Sequence, residues 1–159
     1  MSNVTHLLNL ASVRCHAEAP SRKRALQLAA ELIAANSSLS ADALFDGLME
    51  RERLGSTGLG DGVAIPHCRT VCDDMRVALL TLRNPINHES GDSIDVDILF
   101  VLVVPNDEND AHLQALATLS EIFANPDNRR RLRACTDDET LLTCIQDIAE
   151  SATDNPPTA

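Results

Sequence analysis

Aromatic side chains and positive charge are both scarce in this chain of 159 residues. It has neither tryptophan nor tyrosine and only three phenylalanines, so the core of the folded protein is predicted to be aliphatic. The 13 Lys and Arg residues stand against 24 Asp and Glu residues, which gives a formal net charge of -11. Charge of this sign opposes binding to nucleic acid or to an anionic lipid surface, so neither is an expected partner.

Long hydrophobic runs and regularly paired cysteines are also missing. The longest apolar run, Ile98 to Val104, ends at Pro105 and is far shorter than the roughly 20 residues that a membrane-spanning helix needs, so it predicts a buried strand. The five cysteines are an odd number without a pairing rhythm, and the N-terminus has no signal-peptide pattern. We therefore expect reduced thiols and a cytoplasmic protein.

The hydrophobic patterns predict strands interleaved with amphipathic helices. This order suggests a three-layer α/β/α sandwich with a mixed sheet and helices on both faces, in which the strand that begins at Met75 and the strand that begins at Ile94 pair as a hairpin. The length fits a single domain over residues 4–150, and the polar, proline-containing tail at 151–159 is expected to be disordered. The predicted strands are 13–15, 63–65, 75–82 (stopped by Asn84-Pro85) and 94–104, and the predicted helices are 22–35, 40–53, 111–124, a short basic helix around 129–133 and a last helix to about 149.

A glycine-rich loop runs into a short apolar strand and then into a histidine, from Gly55 to His67. The glycines allow positive φ and leave backbone N–H groups free to face an anion. Because Pro66 cannot donate to a sheet ladder, pairing is expected to weaken where His67 emerges. A neutral imidazole can attack phosphorus at pH 7, so His67 is the candidate nucleophile; the alternative is a histidine packed at a strand end. The candidate phosphate-binding residues of the loop are Ser56, Thr57, Gly58 and Gly60.

Two further residues are candidates for supporting such a site. Arg51 closes the second predicted helix, and the loop that follows is long enough to bring its guanidinium over a phosphoryl group on His67. The alternative is a solvated arginine that stabilises the helix dipole. His112 lies in the first turn of the helix after the apolar strand, where it can donate to a phosphate or orient His67, or simply cap the apolar stripe of its helix.

Other motifs are weaker. The pattern Gly58-x-Gly60 lacks the third glycine of a dinucleotide fingerprint and is followed by a strand, so no cofactor is expected. His67, Cys68 and Cys72 lack the short paired spacing of a zinc site, and no metal is expected. Cys68 is either a reactive thiol in the anion pocket or a half-buried small residue, and the second interpretation is favoured.

Taken together, these residues resemble the enzyme IIA family of the bacterial phosphoenolpyruvate-dependent phosphotransferase system, of the mannitol and fructose type. The chain looks most like the nitrogen-regulatory branch, and the resemblance extends from about Val4 to Ile148. One departure is Cys68, since this family usually has glycine directly after the active histidine, and a side chain there is expected to narrow access to the site or slow transfer. The segments that carry the resemblance are Arg51-Glu52-Arg53-Leu54, Gly55 to Gly60, Val63-Ala64-Ile65-Pro66-His67 and His112-Leu113-Gln114-Ala115-Leu116.

The resemblance implies the roles of these residues and the partners. His67 is the residue phosphorylated, as tele-phosphohistidine, by a histidine-containing phosphocarrier protein, and Arg51 and His112 match the two supporting residues of the family. The chain has no room for a IIB or membrane IIC domain, so it is expected to be a regulator whose targets, such as kinases or potassium transporters, respond to its phosphorylation state. The alternatives are a sugar-specific IIA that passes the group to a separate IIB, and a non-catalytic binding module of the same fold.

Overall fold

A mixed sheet with helices on both sides forms the protein in the computed structural model, which describes residues 4–89, 91–107 and 110–154. Two short 3-10 turns, Val4–Leu7 and Leu10–Ser12, precede the first strand. The strands are β1 (Val13–Ala17), β2 (Gly58–Gly60), β3 (Val63–Ala64), β4 (His67–Thr70), β5 (Arg76–Ile86) and β6 (Val96–Pro105). The helices are α1 (Arg22–Ala35), α2 (Ala41–Arg53), α3 (Asp110–Ala124), α4 (Pro126–Ala134) and α5 (Asp138–Asp154).

The strand order is β1-β5-β6-β3-β2, and β4 also pairs with β6. The central strand β6 is antiparallel to β5, which confirms the predicted hairpin, and is parallel to β3 and β4 on its other side. Strand β1 is parallel to β5. Because β6 has neighbours on both sides and helices over both faces, its residues from Ile98 to Val104 are fully buried, as its continuous apolar run predicts.

Two aliphatic cores lie on the two faces of the sheet, and this confirms the predicted three-layer sandwich. One core packs α1 and α2 against side chains such as Leu80, Leu99 and Val101. The other packs α3, α4 and α5 against side chains such as Leu79, Ile98 and Leu102. Neighbouring strand residues alternate between the two cores, so a side chain's position in a strand decides which helical layer it contacts.

Both helices of the first layer begin where short polar side chains cap them. The Ser21 hydroxyl accepts from the Arg24 N–H at the start of α1, and the Ser40 hydroxyl accepts from the Ala43 N–H at the start of α2. Helix α2 ends at Arg53, one residue before Leu54 and two before the glycine loop. Its last turn therefore carries Arg51 toward the loop.

The structure departs from the sequence prediction at several elements, among them the unpredicted strand β4. The glycine loop contains strand β2, which pairs antiparallel with β3. Strand β5 continues through Pro85 to Ile86; the register shifts between Thr81 and Ile86, and the exposed proline there needs no partner for a backbone N–H. Helix α5 continues to Asp154, whereas residues 155–159 of the predicted tail lie outside the described residues.

Candidate active site

His67 opens a strand that follows the same edge of β6 as the strand before it. Val63 pairs with Ile98 and His67 pairs with Leu102, so β3 and β4 share one register offset (98 - 63 = 35 and 102 - 67 = 35). The expectation that pairing weakens at His67 is therefore wrong. Pro66 donates no hydrogen bond, but its carbonyl accepts from the Leu102 N–H at 2.9 Å, and this contact carries the ladder across the interruption.

The imidazole of His67 is held by a backbone carbonyl. Its Nδ1 lies 2.7 Å from the oxygen of Ile65, and because a carbonyl only accepts, Nδ1 carries the proton and Nε2 keeps a lone pair. Burial lowers the pKa of His67 below its ordinary value; the bond to Ile65 opposes this effect, and the charge of Arg51 adds to it. The ring is thus neutral at pH 7, with Nε2 as its nucleophilic atom.

His112 lies beside this ring, in the first turn of α3. The two ring centroids are 5.2 Å apart with the planes inclined by 52°, and His112 is only 9% exposed. Burial, followed by the charges of His67, Arg69 and Arg51, lowers the pKa of His112. Its buried Nδ1 has no hydrogen-bond partner among the described residues. Two neutral imidazoles therefore share one half-buried pocket at the edge of the sheet.

Arg51 supplies positive charge to the same pocket from the last turn of α2. Its Nη1 donates to the carbonyl oxygen of Gly55 at 2.8 Å, which fixes the guanidinium against the start of the glycine loop. Its charge lowers the pKa of His67 and of His112, the two histidines that the sequence analysis assigned to the same site as Arg51. Arg53 instead pairs with Glu50 on the surface at 2.9 Å.

A second arginine near the histidines was missed by the sequence analysis. Arg69 lies two residues after His67 in β4, so its side chain leaves the same face of the strand. Its charge also lowers the pKa of His67 and His112. The signal for Arg69 was its position two residues after His67, because side chains two residues apart in a strand point to the same face. This signal can be used only once His67 is known to begin a strand rather than to end one.

The glycine loop is less open to an anion than its sequence suggests. The hydroxyl and the N–H of Thr57 both donate to the carboxylate of Glu52, and the Gly58 N–H donates to the Ser56 hydroxyl at 3.1 Å. The prediction that the loop leaves its N–H groups free is therefore wrong for Thr57 and Gly58. Gly60 lies in strand β2, paired with Val63. Ser56, in turn, donates its hydroxyl to the carbonyl of His88 at 3.0 Å.

Cys68 is next to His67 in the chain but faces the opposite side of the sheet. Its side chain packs in the core under α1 and α2, and it is 7% exposed. Burial raises the pKa of its thiol to about 11, so the thiol stays protonated and unreactive at neutral pH. The favoured interpretation as a small packed residue holds, and the expectation that Cys68 narrows the phosphoryl site does not.

The structure gives no arrangement for a metal ion among residues 4–89, 91–107 and 110–154: no group of three or more His, Cys, Asp or Glu side chains is placed to bind one.

The basic helix α4 is anchored to the rest of the fold through Arg133. Arg133 donates from Nε to both carboxylate oxygens of Asp97, at 3.0 and 3.1 Å, and from Nη2 to the carbonyl of Asp61 at 2.6 Å. These bonds tie α4 to β6 and to the turn between β2 and β3.

A histidine held in one tautomer at the start of β4, a second histidine against it and an arginine from the preceding helix form a candidate site for phosphoryl transfer. The chain belongs to the family described as "Phosphoenolpyruvate-dependent sugar phosphotransferase system, EIIA 2", whose model matches residues 6–148. This confirms the predicted family. Among the described residues, no helix is long and apolar enough to cross a membrane.

Within that family the chain is similar to nitrogen regulatory proteins. It is 36% identical over 150 residues to the nitrogen regulatory protein of Klebsiella oxytoca, covering 93% of each chain. The solved structure of nitrogen regulatory protein IIA-Ntr from Neisseria meningitidis superposes with a TM-score of 0.84 at 33% identity, covering 89% of this chain and 98% of the other. IIA mannitol from Escherichia coli, at 19% identity and a TM-score of 0.72 over 87% of this chain and 98% of its own, shares the fold.

Proposed function

We propose that the chain is a phosphocarrier and regulator of the nitrogen phosphotransferase system that accepts a phosphoryl group on Nε2 of His67. The observation that carries the proposal is the 2.7 Å contact between Nδ1 of His67 and the carbonyl of Ile65. This contact leaves Nε2 with a lone pair, and the lowered pKa keeps the ring neutral. Phosphorylation at Nε2 gives the tele isomer of phosphohistidine.

The donor in this proposal is the phosphohistidine of a histidine-containing phosphocarrier protein. The lone pair on Nε2 of His67 attacks phosphorus, the P–N bond of the donor breaks, and its electron pair returns to the donor imidazole. The new phosphoryl group brings about -1.5 to -2 charge units, taking phosphoserine as a guide. The guanidinium of Arg51 stabilises this charge, and a ring N–H of His112 donates to a phosphoryl oxygen.

The four loop residues Ser56, Thr57, Gly58 and Gly60 act in this proposal as a scaffold for the phosphate rather than as a set of free donors, since several of their polar groups already have partners. Regulation follows from the change of charge at the site, because a target protein that fits the unphosphorylated surface meets added negative charge after transfer. By family resemblance such targets include kinases or potassium transporters. The five free cysteines fit a reducing cytoplasm as the location.

The experiment is a reconstituted transfer with phosphoenolpyruvate, enzyme I and the phosphocarrier protein. The wild-type protein should gain an acid-labile, alkali-stable phosphoryl group, and His67→Ala should gain none. His16→Ala is the control and should be labelled like the wild type, because His16 lies in β1, which β5 and β6 separate from β4. Label retained in His67→Ala refutes the assignment, and a chain that takes up no label while still binding a target supports the binding-module alternative.

A sugar-specific IIA is the second candidate, because the chain is also 30% identical to a PTS system 2-O-alpha-mannosyl-D-glycerate-specific EIIABC component of Escherichia coli, over 92% of this chain and 23% of that protein. The two candidates differ in the next acceptor. Rapid passage of label from the phosphorylated chain to a separate IIB protein supports the sugar-specific role. Label that stays on the chain and alters its binding to a regulatory target supports the nitrogen-regulatory role.

A further inference from the structure

A buried polar cluster lies behind the glycine loop, formed by Glu52 at the end of α2, Thr57 in the loop and His88 in the link between β5 and β6. The side chains of Glu52 and His88 are 1% and 0% exposed. Nε2 of His88 lies 3.3 Å from Oε2 of Glu52 and 3.2 Å from the hydroxyl oxygen of Thr57. A charged carboxylate is rarely buried this completely unless several donors surround it.

Glu52 has those donors. The Thr57 hydroxyl donates to Oε1, and the Thr57 N–H donates to Oε2 at 3.3 Å. Because a carboxylate only accepts, Nε2 of His88 carries a proton and donates as well. Burial by itself raises the pKa of Glu52, but the hydrogen bonds from His88 and Thr57 together outweigh it and hold the pKa below its ordinary value. Glu52 is therefore ionised at neutral pH.

One cation lies at the outer side of the cluster. Nη1 of Arg22, at the start of α1, is 3.8 Å from Oε2 of Glu52 and 3.7 Å from Oε2 of Glu89. Glu89 is 71% exposed, so its pairing with Arg22 takes place largely in water and contributes little. Arg22 thus adds positive charge from the outer side, whereas the His88 ring and the hydroxyl and N–H of Thr57 hold the Glu52 charge from inside by hydrogen bonds.

A continuous path of contacts connects this cluster to the phosphoryl acceptor. The carbonyl of Thr57 accepts from the Ile65 N–H at 3.0 Å, and the carbonyl of Ile65 holds Nδ1 of His67 at 2.7 Å. On the other side, Glu52 directly follows Arg51 in the last turn of α2. The same cluster therefore contacts residue Ile65, whose carbonyl orients His67, and the helix end that presents the guanidinium.

We propose that Glu52 and His88 are positioning residues of the phosphoryl-acceptor site, acting through Thr57 and Ile65 on the ring of His67. The inference rests on the proposed function. If His88 served only to fill space in the core, an apolar residue would be more favourable. Its buried Nδ1 has no hydrogen-bond partner among the described residues, and burying such a polar atom costs free energy. The Nε2 donor to Glu52 is what an apolar residue of similar size cannot supply.

The test compares two substitutions of His88 that differ in this donor. His88→Gln places an amide N–H close to the position of Nε2, whereas His88→Met fills similar space without a donor. The control is Glu89→Gln. Glu89 directly follows His88 in the chain, but its side chain is exposed and pairs with Arg22 instead of Glu52. For each protein, the saturating rate of phosphoryl transfer from the phosphocarrier, the KM for that carrier and the melting temperature are measured.

We expect His88→Met to lower the saturating rate at least about tenfold while the KM for the carrier stays within about twofold, because a small misplacement of a reacting group acts on the chemical step. His88→Gln should recover most of the rate, and Glu89→Gln should match the wild type. A loss of stability alone would lower the melting temperature without this split between rate and KM and without rescue by glutamine.

A wild-type rate in His88→Met, or equal losses in the glutamine and methionine variants, overturns the inference while the proposed function stands. If His88→Met is unfolded at the assay temperature, Thr57→Val decides, since it keeps the shape of Thr57 and removes only the hydroxyl from Glu52; a wild-type rate there also overturns the inference. A wild-type protein that takes up no label on His67 overturns the proposed function and this inference together.

Discussion

The contact between Cys68 and Gly47 allows a direct test of which side of the sheet Cys68 faces. A Cβ added at Gly47 in helix α2 would lie 3.2 Å from Sγ and 3.6 Å from Cβ of Cys68. The first distance is too short for comfortable packing, so Gly47→Ala forces the thiol or the helix to shift. We expect the two positions to be strongly coupled in stability, and Cys68 to have no influence on phosphoryl transfer.

The magnitudes follow from the geometry. An alanine in the middle of a helix is favoured over glycine by about 0.5–1 kcal/mol, and the close contact in Gly47→Ala offsets this gain. Cys68→Ala removes a buried sulfur and destabilises the protein by about 1 kcal/mol, as loss of a buried methylene-sized group does. In the double variant the methyl group added at position 47 occupies part of the space that the Cys68 sulfur filled. The stability gained by replacing glycine with alanine in the helix is then no longer offset by a close contact. The predicted coupling is about 1 kcal/mol in favour of the double variant.

The assay is urea unfolding of the wild type, both single variants and the double variant, with the initial rate of phosphorylation measured on each. A coupling energy below about 0.3 kcal/mol, which is the range of independent sites, refutes the packing argument. So does a phosphorylation rate in Cys68→Ala that differs from the wild type by more than about twofold, because that would mean that the thiol faces the phosphoryl site after all.

Three further predictions concern the site and its support. Because only the neutral ring of His67 attacks and its pKa lies below the ordinary 6.5, the rate of phosphorylation should be level between pH 7 and 8 and should fall only as the pH drops below 6.5; a decline starting above pH 7 contradicts this. Arg69→Gln should lower the rate about threefold to tenfold and move the acid limb to higher pH, whereas Arg53→Gln leaves both unchanged in the same pH-rate series. Gly62→Ala should cost about 1–3 kcal/mol in urea unfolding, since Gly62 has φ +85 and an added Cβ would lie 2.5 Å from Nη2 of Arg133; an unchanged midpoint refutes it.

The layer architecture was accessible from sequence because local signals agreed with tertiary packing. Helix α1 has the predicted bounds, since Ser21 caps it and its apolar stripe meets the sheet. The continuous apolar run of β6 correctly indicated a central strand, because only a strand covered on both faces has no polar side. Arg51, His67 and His112 could be singled out for the same reason, because each lies at the end or the start of an element or next to one with a strong signal.

The remaining features depend on pairing between distant segments, which no local pattern contains. Strand β4 forms because β6 offers a free edge in register beyond Pro66, and without that strand the place of Arg69 beside the histidines could not be recognised. The inward turn of Thr57 likewise depends on His88, thirty-one residues later in the chain, to complete the environment of Glu52 (88 - 57 = 31). A glycine-rich loop indicates backbone freedom, but the partners of its N–H groups come from elsewhere in the fold.

The charges of the pocket contrast with the charge of the whole chain, and this contrast bears on how a phosphoryl group changes the surface. With both histidines neutral, Arg51 and Arg69 make the pocket locally positive on a chain whose formal net charge is -11. Under the proposed function, this positive charge favours the approach of a donor's phosphorylated histidine, whereas the net negative charge of the chain disfavours other polyanions. Under the same proposal, transfer adds about -1.5 to -2 charge units, which cancel the two guanidinium charges. In that case the pocket no longer attracts a second phosphorylated partner, so the proposed transfer both loads the site and alters which protein surfaces complement it.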